Sequence, residues 1–147
     1  IFENRVNIQF VIGPFVTRKK FEDEMKKTNL SNYDITQSPE DIFSEISKAY
    51  IVLLPFGVTA YECLTIGTPT VITSIITPSD KYIVDYLEQR NILLDLVESS
   101  NSIERMGEAL LGIYYDPEKC NTLSQEARTY FKGDGVRTVA ELIMGEK

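Results

Sequence analysis

The sequence predicts an α/β fold, a doubly wound and mostly parallel sheet followed by a helical C-terminal segment, and three observations predict it. Apolar runs of strand length recur between longer stretches of helical periodicity. Several of those runs are continuously apolar rather than alternating, as in strands covered on both faces. From Ile103 onward the apolar spacing is helical throughout. Strands alternating with helices imply parallel pairing through crossovers, with helices on both faces of the sheet.

Each element follows from its residues. Val6 to Ile12 reads as a strand closed by Gly13-Pro14, and Phe21 and Met25 place a narrow apolar stripe on a charged helix from Arg18 to Lys27. Tyr33 to Thr36 is a short strand behind the turn residues Ser31 and Asn32. Ser38-Pro39-Glu40-Asp41 carries a capping hydroxyl, a proline at the first helical position and a returning carboxylate, ahead of Ile42, Phe43, Ile46 and Ala49. Ile51 to Leu54 is a strand, Thr59 to Ile66 a helix, Thr70 to Ile75 a strand, Ser79 to Arg90 a helix with Ile83, Val84 and Leu87 inward, and Ile92 to Leu96 a strand. Ile103, Met106, Leu110, Leu111 and Tyr114 share one helical face, and Leu123, Ala127 and Phe131 another. A last helix, Val136 to Met144, follows Gly133-Asp134-Gly135. With no internal repeat and no linker, the 147 residues read as one domain, and the start without an initiator Met or signal pattern reads as a boundary inside a longer chain.

Composition narrows the function classes. The formal charge of −7 opposes a phosphate backbone, so no nucleic-acid partner is expected. The longest apolar run, IVLLPF, is broken by Pro55, so no membrane span is expected. Cys63 and Cys120 read as buried thiols of a cytoplasmic protein. With no His and two Cys, a transition-metal site has few ligands available, no metal or cofactor is expected, and His cannot act as a general base here.

In doubly wound sheets ligands bind beyond the carboxyl ends of the strands, at helix N-termini. Two turns fit that use. Gly13 to Lys20 sets Phe15 in a turn with no helical stripe to explain it and three cations, Arg18, Lys19 and Lys20, at the start of a helix, where the macrodipole opposes them. Pro55 to Glu62 follows the most apolar strand, and Gly57 leaves the backbone approachable to a phosphate. Glu62, three residues after Thr59, also fits a capping box with Thr59 as the cap. Tyr61, Tyr82 and Tyr86 are aromatic candidates for stacking on a base or sugar, although such tyrosines commonly just cover the sheet.

The run GVTAYECLTIGTPTVI, a following helix, the strand ILLDL, the opening IQFVIGP and the closing DGVRTVAELI together resemble the C-terminal, Rossmann-like domain of the two-domain GT-B glycosyltransferases. The nearest subgroup contains the undecaprenyl-pyrophosphoryl-muramoylpentapeptide N-acetylglucosaminyltransferases, the spore-coat polysaccharide proteins and the hydrolase that removes UDP in pseudaminic acid synthesis. The resemblance implies that Gly57 and Thr59 receive the diphosphate of a nucleotide sugar, UDP-linked first among them, that Glu62 takes the ribose hydroxyls, and that Gly67 and Pro69 lead into the next strand; Val58 joins the set through its N–H at the helix entry. The ligand-facing set also takes in Gly13 and Phe15, from the first strand-to-helix turn, and Asp80, and the resemblance implies a metal-independent donor half in cell-surface glycan synthesis. The acceptor site and the catalytic base then lie in an N-terminal domain outside this sequence, and no residue of this chain is catalytic. One departure stands out: where the family carries an Asn-Gln pair, this chain has Ser79-Asp80, and a carboxylate cannot donate as an amide does. A UDP-sugar hydrolase half and a non-catalytic nucleotide-binding module are the alternatives; the upstream domain separates the first, and fold does not exclude the second.

Overall fold

A computed structural model of the chain describes residues 6–28, 30–97 and 102–145; the opening residues 1–5 and the side chain of Ile103, both used above, lie outside the described set. The chain is α/β, every strand pairing is parallel, and the strands form two small sheets. It divides into two compact units, Ile1–Ile42 and Phe43–Lys147.

In the first unit β1 (Ile8–Ile12) runs parallel to β2 (Tyr33–Gln37), in register from Ile8 opposite Tyr33 to Ile12 opposite Gln37. The helix α1 (Arg18–Met25) connects them, and its Phe21 ring meets Phe10 of β1 edge-on at 5.1 Å. Burial along β1 alternates, with Ile12 buried and Val11 exposed, so the expected strand covered on both faces is corrected for the first unit to one covered on alternate residues. The capping reading of Ser38-Pro39 is also corrected. Ser38 has φ 46° and its N–H donates to Ile12 O at 2.9 Å, which turns the chain out of β2. A long-range backbone bond thereby takes the residue that local pattern assigned to a helix cap, and α2 (Ile42–Lys48) starts beyond it.

The second unit holds the core. Its sheet is ordered β3 (Val52–Pro55), β4 (Thr70–Ser74), β5 (Leu94–Asp95). The central strand is the buried one: Thr70, Val71 and Ile72 are fully buried, while Leu53 on the edge strand β3 is half exposed. Against this sheet pack α3 (Val58–Ile66) and α4 (Pro78–Glu88), through Ala60, Leu64, Val84 and Leu87; Ile83, expected inward, is part exposed. Three helices complete the chain: α5 (Ile103–Tyr114), α6 (Pro117–Tyr130) and α7 (Gly135–Met144). Cys120 and Leu123 of α6 are buried, and Ala127 joins the main cluster. Both cysteines are free and buried, as expected. No helix among the described residues is long and apolar enough to cross a membrane.

Candidate functional site

The end of β3 sets the geometry of the candidate site. Pro55 has no N–H, and the β3–β4 register slips between Leu54 and Pro55; the ladder resumes where Phe56 N donates to Ser74 O at 2.9 Å. The Phe56 ring turns inward, 4% exposed, and Gly57 is left at the surface. Gly57 is extended, φ 175°, a conformation open to any residue, so its contribution is space: nothing lies within 4 Å of where a Cβ would stand.

From Gly57 the chain enters α3 at Val58. Ala60 N bonds back to Gly57 O at 3.0 Å, no side chain caps the helix, and the N–H groups of Val58 and Thr59 take no acceptor among the described residues. The first turn carries no acidic residue, so the positive end of the helix dipole is uncompensated. By contrast α4, α5 and α6 are capped by the side chains of Thr77, Ser102 and Asp116.

This geometry corrects the capping-box alternative for Glu62. Gly57 is the cap and Thr59 the second helical residue, so Glu62 lies beyond the third position, where a box partner must stand. Glu62 is half-buried, and neither it nor Thr59 makes a side-chain hydrogen bond or ion pair among the described residues. The next residue inward, Cys63, is fully buried; burial first, and the Glu62 charge second, push its thiol up to about 11.

Asp80 has a structural task. Its backbone N–H donates to Thr77 Oγ1 at 3.2 Å and its Oδ2 accepts from Thr77 N at 3.1 Å, a complete capping box with Pro78 at the first helical position. The sequence placed this helix start at Ser79 and missed the box because Pro78 and Asp80 follow an apolar strand end rather than a polar loop.

Gly13 and Phe15 belong to the first unit. Val16 N closes their turn on Gly13 O at 3.2 Å, Phe15 is 100% exposed, and Thr17 heads α1 without a side-chain cap bond. Of the three cations at that helix start, Arg18 pairs with Glu22 at 2.8 Å. The structure thus sets Gly57, Val58, Thr59 and Glu62 on one helical entry, with Asp80 on the following helix, and Gly13 and Phe15 on a turn of the other unit.

Gly67 and Pro69 shape the exit of α3. Gly67 is left-handed at φ 82°, its N–H reaches Cys63 O at 2.9 Å, and a Cβ there would fall on the Arg128 side chain, whose Nε donates to Ile66 O at 3.1 Å. Pro69 O accepts from Val52 N at 2.9 Å and starts the β3–β4 ladder.

The tyrosines are engaged with the protein to different degrees. Tyr61 meets Phe56 at 5.5 Å and Phe131 at 5.9 Å, Tyr86 bonds Tyr130 hydroxyl to hydroxyl at 3.1 Å under the Arg90 guanidinium, and Tyr82 is largely exposed. Sequence reasoning also missed a carboxylate cluster. Asp85, Glu88 and Asp95 bring oxygens within 4.8 Å of one another, but Lys81 already bonds Asp85 and, at 2.9 Å, Asp95, and Glu88 accepts from Asp95 N. Asp85 and Asp95 hold the Lys81 ammonium protonated above its ordinary range. Asp95 lies seven residues beyond Glu88, past the end of α4, and the β4–β5 pairing sets it beside that helix. No family model and no curated protein matches the sequence.

Proposed function

We propose that this chain is the nucleotide-sugar-binding half of a two-domain glycosyltransferase of the GT-B type, taking a UDP-linked donor for cell-surface glycan synthesis in the cytoplasm. With this reading go the doubly wound, mostly parallel sheet expected from the sequence and a second domain that supplies the acceptor site and catalytic base. One observation carries it: the α3 entry at Gly57 joins N–H groups with no acceptor among the described residues, a dipole end with no acidic residue in its first turn and open space, and one turn further on stands the Glu62 carboxylate, without a partner among the described residues.

A diphosphate supplies acceptors for Val58 and Thr59 N–H, and ribose hydroxyls supply donors for Glu62. Leaving-group charge on the diphosphate would be stabilised by the helix entry. Calorimetric titration with UDP, other nucleoside diphosphates and UDP-sugars tests the reading. UDP and its sugars bind, and Gly57→Val, which sets a side chain into the open space, weakens binding at least about tenfold, about 1.4 kcal/mol. Unchanged affinity in a folded Gly57→Val protein would remove the assignment.

A further inference from the structure

The entry at Gly57 is connected to the far end of α6 by three aromatic rings. Phe56, the residue before Gly57, is fixed at its backbone by the bond to Ser74 O and at its ring by Tyr61, 5.5 Å away at 61°. Tyr61 is held on its other side by Phe131, 5.9 Å away at 67°. Phe131 is the residue at which α6 ends: its N–H donates to Ala127 O at 2.8 Å, its ring rests 5.1 Å from Tyr130, and Gly133 turns the chain towards α7 at φ 70°. Tyr61 is 36% exposed and lies on the same first turns of α3 as Val58 and Thr59, so it is a bridge between two ends rather than part of the buried core.

We propose that Tyr61 is a positioning residue, transmitting the packing of the α6 end to the direction of the N–H groups at the Gly57 entry. Aromatic pairs lose their favourable edge-to-face contact once the centroids part beyond about 7 Å, so removing the Phe131 ring frees one side of Tyr61, and removing the Tyr61 ring frees Phe56. Phe56 precedes the extended Gly57, and its rotation re-aims the Val58 and Thr59 N–H groups. Coupling of this kind is reciprocal: occupancy of the entry steadies the α6 end by the same factor. The effect on ligand affinity rests on the nucleotide reading above; the mechanical coupling does not.

Two measurements separate them. In the ligand-free protein, amide hydrogen exchange is compared among wild type, Phe131→Leu, Tyr61→Leu and Tyr61→Phe. The leucine variants speed exchange of the Phe56 and Ala60 amides about tenfold while Leu96 N–H, bonded to Ile72 O, keeps its rate; Tyr61→Phe, which keeps the ring, behaves as wild type. Equal rates at Phe56 and Ala60 in all four proteins, or acceleration of Leu96 to the same degree, overturn the coupling. In the second arm the same variants are titrated with UDP, and both leucine variants lose about five- to tenfold in affinity with Tyr61→Phe unchanged. If wild type binds no UDP while the exchange pattern holds, the nucleotide reading falls and the positioning role stands; if UDP binds and the leucine variants match wild type in both arms, the positioning role falls alone.

Discussion

Glu62 is the residue where chemistry and structure separate most usefully. With Gly57 as the cap of α3, a helix-capping duty no longer accounts for this carboxylate. Glu62→Gln therefore leaves thermal stability nearly unchanged and weakens UDP binding by the charge-assisted part of its ribose bonds, roughly tenfold. A 2′,3′-dideoxy-UDP ligand completes the cycle: it binds wild type weakly and loses little more on mutation, whereas additive losses show that carboxylate and hydroxyls do not meet. Cys63, one residue inward, gives a pH test. Its folded value, about 11, lies above the ordinary 9.0, so the folded state keeps a proton that the unfolded chain releases. Its contribution is intact below pH 9, falls as pH rises from there, and is lost above about 11; denaturant midpoints across that window for wild type and Cys63→Ala check it. A Cys63→Ala protein with the same alkaline loss as wild type contradicts the assignment. These residue-scale facts were half legible. The Gly57–Glu62 spacing is in the sequence, but which residue caps α3 depends on where the β3 ladder lets go, and that is decided by Ser74 on another strand.

At the scale of elements, caps and stops can be tested one helix at a time. Thr77→Ala removes the oxygen that accepts from Asp80 N and costs about 1 kcal/mol. Gly67→Ala costs more, because a left-handed backbone and the Arg128 side chain both oppose a Cβ; thermal denaturation ranks the two variants, and a Gly67→Ala protein as stable as wild type contradicts the α3–α6 packing. Helix periods were legible throughout: α1, α3, α4 and α7 begin within one or two residues of where apolar spacing places them. What local pattern misread was Ser38-Pro39, where the cap signature is present but the β1 carbonyl of Ile12 takes the Ser38 N–H first. The aromatic bridge Phe56–Tyr61–Phe131 was illegible for a related reason, since it joins residues whose proximity depends on α6 packing against α3.

For the whole molecule, the α/β class and parallel pairing followed from the alternation of strand runs and helical stretches, while the grouping of strands into ladders did not, because runs such as VNIQFVI and IVLL carry no record of their neighbours. The distribution of buried apolar residues makes its own prediction. Among the described residues Ile12 is the sole buried hydrophobic of the first unit, and a two-stranded ladder is marginal by itself, whereas Phe43–Lys147 holds both core clusters. A fragment of residues 43–147 thus unfolds cooperatively in denaturant and a fragment of residues 1–42 shows no transition; the reverse would contradict the core described above. The central claim, that the α3 entry receives a diphosphate, is tested most directly by following backbone amide resonances during a UDP titration of the full chain. The Gly57, Val58 and Thr59 amides shift furthest, saturably, and uridine without phosphate leaves them in place. Saturable UDP binding that shifts other amides and leaves these three unmoved would contradict it.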